Sequence, residues 1–275
     1  MAFNKKWTKY DKLKGNCLYK IENLNFEIQK KEILKDISLS IKNNNFLSIV
    51  GPNGCGKSTL IKTINRNIDI QSGKISLDDK NIEEFSDKDL ALRRSVLNQS
   101  FSFPYSFKAI EIVEMGLYAY LLNTKEKKDI LDYVVEKLHL NSLKDKNYLV
   151  LSGGEKQKIQ FARVVVQIVA SKQKERYLFL DEPTLNLDIF YQYKILDLAK
   201  ELQKDLNIGV CAILHDINQA YLYSDEIVMM KNGHIKYFGA TKDILTYENI
   251  YDVFEVKSEF VYSKNLQKDI LITTS

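Results

Sequence analysis

Residues Gly51-Pro52-Asn53-Gly54-Cys55-Gly56-Lys57-Ser58-Thr59 constrain this chain more than any other stretch. The apolar run Phe46-Leu47-Ser48-Ile49-Val50 precedes them and reads as a buried strand. Leu60-Ile61-Lys62-Thr63-Ile64 follows and reads as the opening turns of a helix. Strand, glycine-rich loop and helix are the setting that a phosphate-binding P-loop requires. The glycines let successive backbone N–H groups turn inward around phosphate oxygens, and the helix N-terminus adds the positive end of its dipole. The expected cradle is Gly51, Asn53, Gly54, Cys55, Gly56, Lys57, Ser58 and Thr59. Within it Lys57 would reach the β- and γ-phosphates, and the Ser58 hydroxyl would ligate Mg²⁺. The competing reading is a glycine-rich turn that matches by accident, and the flanking strand and helix weigh against it. The ligand implied is a nucleoside triphosphate.

At 275 residues the chain can hold one large domain or two small ones. A net charge of +4, carried mostly by lysines spread along the chain, is too small to argue for nucleic acid. Cys17, Cys55 and Cys211 are odd in number and far apart, which points away from a disulfide framework and towards a reducing cytosol. No apolar run approaches the about 18 residues needed to span a bilayer, and the lysine-rich start lacks a secretory h-region. A membrane role would have to come through a partner.

Residues 1–16 read as an appended arm without order, and 17–275 as a single domain. Its α/β core is expected at 17–100 and 151–240. Leu18–Leu24 and Ile33–Ile41 read as strands of an antiparallel layer. Ser72-Gly73 marks a turn, followed by a hairpin through Asp78-Asp79. Residues 101–150 change to helical spacing (Ile110, Val113, Leu117; Ile130, Val134, Leu138), with Thr124–Lys128 as a polar break, and read as an inserted helical subdomain. Ile227–Met230 and His234–Tyr237 flank Asn232-Gly233 as a hairpin. The extension 241–275 shows one short helical stretch and a polar end.

Gly51, Gln99, Asp181 and His215 each follow an apolar strand. In open parallel α/β sheets, ligands bind at the carboxyl ends of the strands, so these groups are expected to converge on one edge. Asp181 would then hold Mg²⁺ against the phosphates, and Glu182 would activate the attacking water. Alone, the pair could be an acidic cap. Leu151-Ser152-Gly153-Gly154-Glu155 opens a helix and could be a plain N-cap, or a second anion-binding helix end. Five of the eleven glycines lie in this motif or the P-loop, so backbone–anion capability is concentrated in two places. His215 could be satisfied by backbone, or could donate to the γ-phosphate. Gln99 could be a surface amide, or could touch metal and water. The aromatic run Phe101, Phe103, Tyr105, Phe107 fits an edge strand or an apolar patch awaiting a partner.

In this order the motifs resemble an ABC-transporter ATPase subunit: P-loop, Gln99, Leu151–Glu155, Asp181-Glu182-Pro183-Thr184, Asp188 and His215. The resemblance covers roughly 17–260 and implies a P-loop NTPase cassette with a parallel-sheet core, an antiparallel β layer and an inserted helical subdomain. It implies Mg²⁺ and ATP sandwiched between one P-loop and the partner copy's Ser152, Gly153, Gly154 and Glu155, with Asp188 communicating across the dimer. It makes Glu182 the catalytic base, His215 the γ-phosphate switch and Gln99 a metal and coupling residue beside Ser58 and Asp181. The partners implied are a second copy, a membrane permease dimer and an extracytoplasmic binding protein, with no nucleic acid, at the cytoplasmic face of the membrane.

The segment Leu214–Ala220 and the closing Ile244–Val256 look like importers of iron-siderophores, haem and cobalamin. Ala162–Ile168 is most similar to the haem branch. Three positions depart from the family pattern. Ile28, with Phe26 close by, stands where an adenine-stacking aromatic is usual. Leu185-Asn186-Leu187 replaces small residues, and Asn98 replaces a proline. None removes a phosphate, metal or base group. The rivals are a soluble ABC protein acting on ribosomes or DNA, disfavoured by the single P-loop and short insert, and a P-loop kinase or GTPase. No guanine-recognition motif is present for the latter.

Overall fold

A computed structural model describes residues 18–98, 105–265 and 267–274. The expected arm, Gln99, Phe101 and Phe103 lie outside the described residues.

A six-stranded sheet forms the centre. It comprises β3 (Phe46–Val50), β6 (Arg94–Leu97), β7 (Tyr177–Asp181), β8 (Gly209–Ile213), β9 (Glu226–Lys231) and β10 (His234–Ala240), in the order β10-β9-β3-β8-β7-β6. All neighbours are parallel except the β9–β10 hairpin. The sequence reason is the continuous apolar character of β3, β7 and β8, every residue of which is buried. Alternation then decides which layer each residue serves. Phe46, Leu178, Leu180, Val210 and Met229 pack towards one cluster. Leu47, Ile49, Phe179, Cys211 and Met230 pack towards the other.

The second cluster is closed by a four-stranded antiparallel sheet, in the order β2-β1-β4-β5. Its strands are β1 (Leu18–Ile28), β2 (Lys31–Lys42), β4 (Ser72–Leu77) and β5 (Lys80–Asn81). Ser72-Gly73 belongs to strand β4, and is not the turn its composition suggests. The Asn232-Gly233 turn has φ of 53° and 86°, as the sequence leads one to expect of a two-residue hairpin loop.

α1 (Lys57–Ile64), which follows the glycine-rich loop, and α2 (Asp87–Arg93), which leads into β6, bury Leu60, Ile61, Ile64 and Leu90 in the second cluster as well. Other helices cover the first cluster. The insertion contributes α3 (Ala109–Glu114) and α4 (Thr124–Lys137), packed on α5 (Gly153–Ala170). Lys108 bridges Asn147, and Tyr148 N donates to Phe107 O at 2.8 Å, so the chain enters and leaves the insertion at one pinned point. The polar stretch Thr124–Lys128 opens α4 and does not break the helical region. Asn123 and Glu126 form a capping box there, which turns polar residues into a helix start.

α6 (Ile189–Asp205) and α7 (Ile217–Tyr223) follow β7 and β8. The C-terminal extension holds more than the sequence patterns suggest. Helices α8 (Thr241–Ile244) and α9 (Tyr247–Phe254) precede an antiparallel hairpin of β11 (Lys257–Ser263) and β12 (Lys268–Thr274). Leu271 of β12 is buried, and Asn218 of α7 pairs both its backbone groups at 3.0 and 2.8 Å. That anchorage is long-range, and period-two patterning of so short a hairpin does not reveal it.

Candidate functional site

The glycine-rich loop sits where β3 meets α1. A Cβ on Gly51 would stand 2.2 Å from the Met230 carbonyl oxygen, so only glycine lets β9 back the loop this closely. Gly56 has φ of 105°, and a Cβ there would meet the Ile33 carbonyl oxygen at 2.8 Å. Gly56 is also the N-cap of α1 and provides no side-chain cap, which leaves the first N–H groups of the helix for a ligand. Gly233 N donates to Cys55 O at 3.2 Å, and Lys35 N donates to Gly233 O at 2.9 Å. The β9–β10 turn therefore props the loop from outside.

Lys57 is buried, and its ammonium donates to Gly51 O at 2.8 Å and Pro52 O at 2.9 Å. A cation held on neutral carbonyls inside a ring of N–H groups is a ready counter-charge for phosphate. Ser58 Oγ donates to Asp181 Oδ1 at 3.0 Å, bringing together groups 123 residues apart. Asp181 Oδ2 is buried with no hydrogen-bond partner. Burial pushes the Asp181 carboxyl above its ordinary value, against the opposing hydrogen bond from Ser58. A buried, half-satisfied carboxylate beside a hydroxyl fits a Mg²⁺ ion, which binds through one or two carboxylates and completes its shell with phosphates and water. Among the described residues no cluster of three or more His, Cys, Asp or Glu could hold a metal alone, so such an ion would need the nucleotide's oxygens.

Immediately after β7 the backbone turns through Glu182, whose φ is 53°. A non-glycine residue in that region is strained by about 1–3 kcal/mol, and such strain is concentrated at functional positions. The turn presents the Glu182 carboxylate to His215, whose Nε2 lies 2.7 Å from Glu182 Oε1. Gly51, Asp181, Glu182 and His215 thus do assemble at the carboxyl edge of the parallel strands. Of the predicted convergence, Gln99 falls outside the described residues.

Ser152 caps α5, and Ser152 and Glu155 satisfy each other's backbone N–H in a capping box, at 3.3 and 2.8 Å. The donated Ser152 N–H holds the Glu155 carboxyl below its usual range. Ser152 and Gly153 are exposed. Gly154 packs by the 182–188 loop, where a Cβ would lie 3.0 Å from Asn186 O. Asp188 caps α6 by accepting from Tyr191 N at 3.0 Å.

A profile of the ABC transporter family matches residues 34–185. The hemin import ATP-binding protein HmuV of Shewanella denitrificans is 34% identical over 252 residues, covering 92% of this chain and 99% of that protein. The chain belongs to the ABC transporter family. It is an ATP-binding, ATP-hydrolysing cassette of that family. An inward-facing putative metal-chelate type ABC transporter superposes with a TM-score of 0.77 at 24% identity, over 95% of this cassette and 98% of that chain. A bacterial ABC transporter cassette solved as a dimer superposes at 0.70 with 24% identity, over 81% and 98%. These two likenesses concern the fold.

Sequence reasoning misses the residues that grip the cassette's working loops. Gln157 Nε2 donates to Pro183 O at 3.4 Å. Lys158, almost wholly covered, stands 4.0 Å from Asp188 Oδ2 and over the Tyr191 ring. Both lie on the first turns of α5 directly after Ser152-Gly153-Gly154-Glu155, and that adjacency is the only sequence signal they carry. Ile28, at the usual adenine-stacking position, is half exposed, and Phe26 is turned into the second core cluster.

Proposed function

We propose that this cassette powers import of haem or another iron chelate across a membrane. The observation that carries this reading is the 34% identity to a hemin import ATP-binding protein across nearly the full length of both chains. Within the site, Lys57 and the loop N–H groups hold the ATP phosphates. Ser58 and Asp181 hold Mg²⁺, which supplies charge neutralisation at the transferred phosphoryl group. Glu182 takes the proton of the attacking water, and His215 donates to the γ-phosphate. Gln99 joins them by family resemblance alone.

Two copies are proposed to pair head to tail, so that the exposed Ser152-Gly153 edge of each, with Gly154 behind it, completes the other's site. Exposure of that helix end and a cassette relative solved as a dimer support the pairing. Among the described residues no helix is long and apolar enough to cross a membrane. Passage is proposed to belong to a permease dimer, with this subunit peripheral on the cytoplasmic side and an extracytoplasmic binding protein delivering cargo. The exposed apolar side chains Tyr105, Tyr118, Leu121, Leu149 and Val150 lie on and around the helical insertion and offer the permease a docking surface.

The test is ATPase activity of the membrane complex purified through this subunit, with haem, ferric siderophore or cobalamin and a binding protein added in turn. Stimulation by haem or the iron chelate is expected. Stimulation by cobalamin alone, or activity only in a permease-free soluble fraction, overturns the reading.

A further inference from the structure

We infer that Gln219 and Gln192 form a one-way amide relay that positions the Glu182–Asp188 loop from the helix beginning just after His215. This inference rests on the roles proposed above for Glu182 and His215. Gln219 lies in the first turn of α7, where Asp216 caps the helix by accepting from Asn218 N and Gln219 N at 2.8 and 3.3 Å. The Gln219 side chain is buried, and its Nε2 donates to Gln192 Oε1 at 2.8 Å. Gln192 Nε2 in turn donates to the Leu187 carbonyl at 3.0 Å. A carbonyl can only accept, so Gln192 must aim its amide at Leu187 and its own oxygen at Gln219. Gln219 must then present its NH₂. The direction of both amides follows from one backbone oxygen.

The ends of this chain are what give it meaning. At one end stands the segment His215-Asp216, and at the other the residue before Asp188, in the loop that starts with Glu182. His215 and Glu182 already touch at 2.7 Å at the loop's near end. The relay ties the same two segments at the far end, so a displacement of His215 and α7 carries the whole loop with it. Gln219 Oε1 is buried without a partner. Gln203 Oε1 is buried in the same way, so the directed pair of bonds from Gln219 to Gln192 to Leu187 carries the inference, and what the Gln219 amide contributes to it is its donor. Gln192 and Gln219 are accordingly positioning residues, since neither touches the reacting groups.

The experiment compares the full chain with Gln219→Met, Gln192→Met, Gln192→Glu and Gln203→Met, measuring kcat, KM for ATP and melting temperature. Gln203 is the control, because it is equally buried, also has an unpaired Oε1 among the described residues, and donates to Asn44 Oδ1 at 3.2 Å, tying α6 to the turn before β3 and not to the Glu182–Asp188 loop. Loss of one net hydrogen bond in positioning predicts a fall in kcat of about three- to tenfold in both relay Met variants, with KM within about twofold. The double Met variant should be no worse than either single, as members of one relay act together. Gln192→Glu can still accept from Gln219 but cannot donate to Leu187 O, and should behave like Gln192→Met. Gln203→Met should keep wild-type kcat. Wild-type kcat in Gln219→Met, or in Gln192→Glu, or an equal loss in Gln203→Met, overturns the relay. Glu182→Gln separates the two levels. If it is inactive while Gln219→Met is normal, only the relay falls, whereas if it hydrolyses at the wild-type rate, the underlying site assignment falls.

Discussion

The cassette has two glycine-bearing helix N-termini built on similar local chemistry, and they end up opposite in character. At α1 the cap is Gly56, without a side chain, so the helix end is left unsatisfied and turned into a loop that Met230, Ile33 and Gly233 wall in. At α5 the cap is Ser152, which together with Glu155 uses up two backbone donors locally, and the helix end faces outward. The first is a walled loop closed around Lys57 within one chain, the cradle proposed for phosphate. The second has part of its capacity spent on holding its own shape, with only the exposed glycine edge left over. On the proposed head-to-tail pairing it is half a site, completed by the surface of a second copy. What distinguishes them is the identity of the cap and what walls the loop; the dipole is common to both.

The comparison breaks most easily at Lys57. Lys57→Ala removes the single buried cation of the cradle and should weaken ATP binding by about a hundredfold or more, measured by calorimetry. Micromolar or tighter binding in that variant would refute the cradle. Glu182→Gln should lower kcat by about 10²- to 10⁴-fold while leaving ATP affinity intact and trapping an ATP-bound dimer, seen by size-exclusion chromatography. A wild-type hydrolysis rate would remove Glu182 from its role as base.

Gly153→Asp sharpens the contrast between the two helix ends. A Cβ at Gly153 meets nothing within 4 Å, so the variant should fold and bind ATP as the parent does. Its carboxylate would repel phosphate offered by a second copy, lowering ATPase activity by about tenfold or more. Equal losses of ATP binding and hydrolysis would show that both helix ends serve one chain's own site.

The smallest effect expected is on stability. Burial raises the Asp181 carboxyl above its ordinary 3.8, so the folded chain loses stability as pH rises from 3.8 through the higher folded value, and the cost is complete above it. Asp181→Asn should therefore melt higher than the parent at neutral pH, without that advantage well below 3.8, while its hydrolysis is slower and needs more Mg²⁺. An unchanged or lower melting temperature at neutral pH, read by circular dichroism, would contradict the uncompensated carboxylate.

Much of this was legible in the sequence because it is written in short-range chemistry. The glycine-rich loop, the apolar strands that end in Gly51, Asp181 and Leu214-His215, and the Asn232-Gly233 turn each depend on residues within a few positions of one another. Local conformational preference and burial alone place them. The polar start of α4 was misread for a related reason: a capping box looks like a loop unless Asn123 and Glu126 are read as a pair.

Only the tertiary structure decided what holds the site in shape. The Met230 and Ile33 carbonyls that wall the P-loop, the Leu187 oxygen that orients two glutamines, and the Leu271 backbone that Asn218 fastens are main-chain groups. Every residue carries such a group, so no residue type advertises it, and its partner is chosen by where the fold brings two segments together. Sequence by itself thus determined which chemistry this protein carries and at which strand ends. The packing of distant backbone decided which of its two helix N-termini became a closed cradle and which was left open.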